Sequence, residues 1–214
     1  MKRLPLVADT RPRAVVLLSG GLDSVVALAQ TAADGFACIA VVVDYGQRNA
    51  DREVTCARMQ AGARGARVVA LDLSSLRLAQ RGGKDVSPHY VPGRNSVLVS
   101  LALSAAEAHD AERVVIGATA EDLAGFPDCR PAFFDAWRKV ARVGMARAPE
   151  IVTPLLAMSK ADVVRAAVAL GVDAALTWSC YGGGPSPCGA CGACAVRARG
   201  FAEAGIADPL MGGA

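Results

Sequence analysis

The chain has few histidines and few aromatic residues. It carries two histidines, and Phe, Trp and Tyr make up 5% of its 214 residues. Two histidines, His89 and His109, are too few for a His-based metal centre, and His109 reads as a helix-end cap. Long apolar runs are also missing. Phe36 to Val43 is among the longest at eight residues, against about 20 needed to cross a bilayer. The basic start, Met1 to Pro5, has no secretory apolar region, and Arg11, Pro12 and Arg13 break the segment before Ala14. No membrane partner is expected. Positive charge is not concentrated either. Twenty-three basic residues face 20 acidic ones for a net charge of +3, with the arginines scattered, so direct nucleic-acid binding is not expected. No internal repeat is evident.

What is abundant is apolar: 53% of the residues are hydrophobic, which excludes global disorder. Short β-branched runs recur at 14–18, 38–43, 67–71, 113–116 and 151–153. Each is continuous rather than alternating, as in strands buried on both faces. Between them, 22–33, 48–63, 96–109 and 131–147 are long enough for crossover helices. The pattern predicts an α/β fold: a parallel five-stranded Rossmann-like sheet with helices on both faces, plus a small C-terminal zinc-binding segment. The expected division is 1–175 and 176–214. Ser159 and Asp162 form a capping-box pattern opening a helix to about Leu170, with Gly171 as its stop. The longest loop is 74–95.

Ser19-Gly20-Gly21-Leu22-Asp23-Ser24 follows the first strand and opens the first helix. Two glycines allow a tight turn whose N–H groups face an anion, and the helix N-terminus adds donors. A plain strand-to-helix turn would use the same glycines. No Gly-Lys-Ser/Thr follows, so this is not a Walker A loop, and Gly-x-Gly-x-x-Gly is absent. Asp23 fits either a magnesium anchor or a first-turn acid favoured by the helix dipole. Asp44 closes the second strand, where an acid can meet a ribose or simply end a loop.

Seven cysteines, an odd number, without a secretory signal argue against a disulfide framework and for a reducing, cytoplasmic setting. Cys180, Cys188, Cys191 and Cys194 lie within 15 residues. Four thiolates at this spacing suit one tetrahedral Zn²⁺ in a structural role, since no coordination position stays open. An iron–sulfur cluster would use the same ligands; four unliganded thiols would invite oxidation. A helix over about 194–204 would follow. Cys38 and Cys56 read as core thiols.

Ser-Gly-Gly-x-Asp-Ser resembles the signature of the PP-loop ATP pyrophosphatase superfamily, whose adenine nucleotide alpha hydrolase-like fold this implies. The ordered set SGGLDS (19–24), DYGQRN (44–49), VPGRN (91–95), GFPDCR (125–130), PLLAMSK (154–160), SCY (179–181) and CGACGAC (188–194) resembles the 7-cyano-7-deazaguanine synthase family from about Arg13 to the C-terminal region. The resemblance implies an ATP-dependent carbon–nitrogen ligase of queuosine precursor biosynthesis. It would adenylate 7-carboxy-7-deazaguanine, form the amide with ammonia, and dehydrate that amide to the nitrile. ATP would be the co-substrate, with Mg²⁺ and a structural Zn²⁺, and a homodimer is expected.

Carried over by position, Leu18, Ser19, Gly20, Gly21, Leu22, Asp23 and Ser24 would hold ATP, with Asp44 and Arg94. Asp23, Asp122 and Lys160 would be catalytic, although Lys160 also reads as an exposed first-turn lysine. Phe126, Asp128 and Arg130 would meet the deazapurine; loop packing and turn capping are the alternatives for Phe126 and Asp128. Asn95 reads equally as a ligand contact or as an N-cap. Cys129 is not assigned a covalent role, as no activating histidine is near in sequence. Asn49 stands where the family commonly has His, and Phe126 where it has Tyr. Ala120-Glu121-Asp122 shifts the usual pattern, and the segment between Leu73 and Val91 is short. These departures bear on the acceptor. Three other readings follow: an adenylating relative that joins a deazaguanine acid to a different amine, even on a protein, and stops at the amide; another PP-loop chemistry such as tRNA thiolation; and a non-enzymatic zinc module.

Overall fold

A computed structural model describes residues 9–76 and 78–210. Met1 to Pro5, position 77 of the long loop and the last four residues of the 176–214 segment lie outside the described residues.

Five strands alternate with helices as the apolar runs predict. They are β1 (Arg13–Leu17), β2 (Ala37–Asp44), β3 (Arg67–Asp72), β4 (Arg113–Val115) and β5 (Glu150–Val152). All pairings are parallel and the order is β3-β2-β1-β4-β5. The order reverses between β1 and β4. In open α/β sheets ligands sit beyond the carboxyl ends of the strands at such a switch point. β1, with Val15 opposite both Ile39 and Val114, is central and buried on both faces. β3 corrects the expectation for its run. It is an edge strand whose residues are half-buried or exposed, because only β2 pairs with it.

The helices are α1 (Leu22–Ala33), α2 (Ala50–Ala63), α3 (Arg94–Ala108), α4 (Asp122–Gly125), α5 (Pro131–Gly144), α6 (Lys160–Ala169) and α7 (Gly192–Ala204). Two cores flank the sheet. Val16, Ala40 and Val42 pack with α1, α2, α6 and Phe201 of α7. Val15, Ile39 and Val41 pack on the opposite face with α3 and with Ala141 of α5. Burying both sheet faces is what a continuous apolar strand requires. Phe201 is 3% exposed within the first core, so the cysteine segment shares its apolar interior.

The helix ends follow local chemistry. Ser159 Oγ accepts the Asp162 N–H while Asp162 accepts the Ser159 N–H, the capping box expected for α6. The α3 start differs from the alternative in which Asn95 is the N-cap. Gly93, at φ +71, is the cap residue, and the Asn95 amide donates instead to the Asp128 carbonyl and Cys129 Sγ. α2 begins two residues later than expected, at Ala50. The Asn49 side chain does not cap it, because it donates to Glu53 Oε1 and to the Cys180 carbonyl.

Candidate functional site

β1 delivers Leu18 to Gly21 into the turn that starts α1. Gly20 has φ +81, and a Cβ there would run into the Glu53 carbonyl and lie 2.8 Å from the Ala57 N atom, so α2 leaves room only for glycine. The loop is tied by its own hydroxyls. Ser24 Oγ accepts the Ser19 N–H at 3.2 Å and donates to the Gly21 carbonyl at 3.0 Å. Gly21 caps α1 without a side-chain hydrogen bond, which leaves first-turn N–H groups available to an anion. Trp178 N–H donates to the Gly20 carbonyl at 2.9 Å, coupling this loop to the segment carrying the cysteines.

Asp23 projects from the first turn of α1 and Lys160 from the start of α6. Lys160 Nζ lies 2.6 Å from both Asp23 carboxylate oxygens, and the lysine is 8% exposed overall. The reading of Lys160 as an exposed first-turn residue is therefore corrected. A few ångströms of backbone away, Glu121 Oε1 accepts the Lys160 N–H at 2.8 Å. Asp122 accepts the N–H and hydroxyl of Thr119. Burial, aided by the Asp23 charge, raises the Asp122 carboxyl above its usual range, against the Thr119 hydrogen bonds and Lys160.

A cavity of about 890 Å³ opens over these groups at the carboxyl ends of the strands. Leu18, Ser19, Gly21, Leu22, Asp23, Ser24, Arg94, Asp122, Phe126 and Lys160 line it. The structure thus brings together most residues singled out from sequence. Four fall outside the lining. Gly20 faces α2. Asp44 closes a turn by accepting the Gly46 N–H at 2.8 Å. Arg130, exposed, donates through Nε to the Leu123 carbonyl. Asp128 is 6% exposed behind Cys129; its Oδ1 is buried without a partner, and its Oδ2 lies 3.4 Å from the Asn95 N–H.

Residues that the sequence reading did not single out complete the wall. Arg94 reaches Tyr45 Oη at 3.5 Å and covers its ring. Glu53 accepts from Gln47 and Asn49 inside the cavity, and burial raises its carboxyl despite those bonds. His89 and Tyr181 stack with centroids 4.0 Å apart. Glu121 adds a buried, unpartnered Oε2. The signal for Tyr45 and Tyr181 was present in the DYGQRN and SCY segments. Cys129 also lines the cavity, but burial pushes its thiol up to about 12, which keeps it protonated and unsuited to nucleophilic attack.

The four clustered cysteines meet as their spacing predicts. Their sulfurs lie within 4.8 Å of one another, and four ligands about 2.3 Å from one zinc ion would stand roughly 3.8 Å apart. Gly189, at φ +69, allows the chain to double back between Cys188 and Cys191. Cys180 Sγ accepts the N–H groups of Gly182 and Cys188, and Cys188 Sγ that of Cys191. Backbone N–H groups of Ala190 and Cys191 hold the Cys188 thiol down at about 6. The donor set therefore fits a soft divalent metal with no open position.

A family model described as "Queuosine biosynthesis protein QueC" matches residues 13–205. A 7-cyano-7-deazaguanine synthase from Synechococcus elongatus is 43% identical over 218 residues, covering 92% of this chain and 93% of that protein. One from Anaeromyxobacter dehalogenans is 43% identical over 226 residues, covering 93% and 95%. Among solved structures, the U34-tRNA thiolase NcsA from Methanococcus maripaludis is similar at TM-score 0.52 and 16% identity, over 76% of this chain and 58% of that one. An NMN synthetase from Francisella tularensis is similar at TM-score 0.50 and 15% identity, over 92% and 73%. These structural likenesses bear on the fold alone.

Proposed function

The chain belongs to the QueC family of queuosine biosynthesis proteins, and on that premise we propose that it is an ATP-dependent ligase making 7-cyano-7-deazaguanine from 7-carboxy-7-deazaguanine and ammonia. The observation that carries the reading is one cavity shared by two kinds of wall. On one side stands the α1 turn with Asp23, Lys160 and Asp122; on the other stand Arg94, Tyr45 and Phe126. The first suits a nucleotide polyphosphate and the second a flat, anionic heterocycle.

The chemistry needs such a shared space. A carboxylate is a poor electrophile, so its oxygen attacks the α-phosphorus of ATP and pyrophosphate leaves. Ammonia then adds to the acyl carbon, and AMP departs with the C–O electron pair to leave the amide. The amide oxygen attacks a second ATP. Loss of AMP and both amide protons leaves the nitrile. Each activation develops negative charge on the departing pyrophosphate, where the α1 N–H groups and the Lys160 ammonium lie ready to stabilise it. Asp23 holds that ammonium in place. Bound Mg²⁺ would neutralise phosphate charge, with Asp23, Asp122 and Glu121 as the nearby carboxylates. Arg94 would orient the acid, and Phe126 would pack against its flat ring.

The cysteine cluster is read as a structural zinc site that holds Trp178 against the phosphate loop. A cytoplasmic, homodimeric protein without direct nucleic-acid binding completes the proposal. The protonated Cys129 speaks against a thiolation role. The test is product mass after incubation with ATP, Mg²⁺, ammonium and 7-carboxy-7-deazaguanine. A nitrile supports the proposal. An amide alone would point to the relative that stops at an amide bond, and no turnover of this acid would overturn the assignment.

A further inference from the structure

The loop before α3 is folded rather than loose. Arg81 N–H donates to the Tyr90 carbonyl, Tyr90 N–H to the Ser87 carbonyl, and Ser87 N–H to the Gly125 carbonyl at the end of α4. Ser87 Oγ accepts the His89 N–H at 3.2 Å. This seating presents the His89 ring to the cavity, where it stacks on Tyr181 from the cysteine segment with centroids 4.0 Å apart. One ring face is thus taken by Tyr181. The edge is not satisfied: His89 Nδ1 is buried with no hydrogen-bond partner. A buried polar atom without a partner is costly, and in a ligand cavity it marks where a ligand atom belongs. The same wall carries Phe126 and Arg94.

We propose that His89 is a specificity-determining residue that accepts, through Nδ1, an N–H from the edge of the heteroaromatic acid, and that Tyr181 holds the imidazole in register. The inference rests on the ligase reading above and names one contact within it. An imidazole held by stacking keeps a lone pair in the ring plane, aimed at a coplanar donor. Purine-like heterocycles present N–H groups in their own plane, whereas a polyphosphate presents only acceptors. The contact therefore discriminates the acid rather than ATP.

The test compares steady-state kinetics of the full-length wild-type protein, His89→Phe and His89→Asn, with the acid and ATP varied separately. Phenylalanine keeps a ring to stack and removes the acceptor. Asparagine puts a carbonyl oxygen near the place of Nδ1. Loss of one neutral hydrogen bond predicts a rise of about tenfold in KM for the acid in His89→Phe. The KM for ATP and kcat should stay within about twofold, and His89→Asn should recover most of the loss. Tyr181→Leu, at wild-type zinc content, should raise the same KM. The inference is overturned if His89→Phe leaves the KM for the acid unchanged, if the KM for ATP rises in parallel, or if His89→Asn does no better than His89→Phe. Calorimetric titration of the wild-type protein with the acid separates the two levels. Wild type that neither binds nor converts the acid overturns the ligase reading and this inference with it. Wild type that does both, with an unaffected His89→Phe, overturns only the role of His89.

Discussion

Lys160 Nζ sits 2.6 Å from both oxygens of Asp23, joining residues 137 positions apart at the first turns of two helices. The pair fixes the lysine at the phosphate turn without filling the cavity. Lys160→Met removes the cation and leaves Asp23 beside the Asp122 carboxyl. The Asp23 side chain is 28% exposed, so the stability loss should be about 1–3 kcal/mol, short of the cost of stranding a fully buried charge. AMP formation should fall by about 100-fold or more, because a charge that stabilises the leaving group is gone. Thermal unfolding and AMP release, measured on the same preparation, check both. Activity near wild type would remove Lys160 from the chemistry.

A remote glycine should matter for the same reason. Gly200 in α7 faces the Lys160 stem, and a Cβ there would collide with Lys160 Cγ and lie 2.8 Å from its Cβ. Gly200→Ala must part α6 from α7 or push the lysine off Asp23. Overpacking of this kind costs about 1–3 kcal/mol. The variant should melt earlier and turn over more slowly, although residue 200 touches no substrate. An unchanged melting temperature would contradict the packing described.

Much of this arrangement was legible in the sequence, and the remainder was not for identifiable reasons. Strands, crossover helices and the Ser159 capping box are local patterns of apolar period and turn chemistry, and they read correctly to within a few residues. The β3 run read as doubly buried because composition does not tell an edge strand from a central one; only strand order does. The Asp23–Lys160 pair and the His89–Tyr181 stack arise where distant segments converge, which no local pattern encodes. Asn49 and Asn95 were open to capping roles by residue type, yet Glu53, Cys180, Asp128 and Cys129 take their amides.

Metal removal should act on two sites together. Cys180, Cys194 and Trp178 share one buried cluster, and Trp178 N–H holds the Gly20 carbonyl. One zinc per chain is expected by elemental analysis. A strong chelator should lower the melting temperature and weaken ATP binding, because the phosphate loop loses its anchor. Cys188→Ser, at the exposed ligand, should reproduce both effects. Iron and sulfide in the purified protein, or a metal-free protein with unchanged stability, would contradict the zinc assignment.

Two thiols outside the cluster should resist alkylation. Burial raises Cys129 to about 12 and Cys38 to about 11. At pH 8 their thiolate fractions are roughly one part in a thousand or less, against about a quarter for a free cysteine. Iodoacetamide at pH 8 should leave both unmodified in the native protein and label both after denaturation, as read by peptide mass. The same shifts make stability fall with rising pH. The unfolded thiols release protons near pH 8.5 while the folded ones hold theirs, so this contribution is lost between about pH 8.5 and 12.

The count of AMP per product tests the central claim most directly. Two activations, one on the acid and one on the amide, require two AMP and two pyrophosphates for each nitrile. Quantifying nucleotides and product in one reaction by chromatography and mass spectrometry should give a ratio of two, with amide as the intermediate. ADP and phosphate in place of AMP and pyrophosphate, or nitrile formed without ATP cleavage, would contradict adenylation at this site.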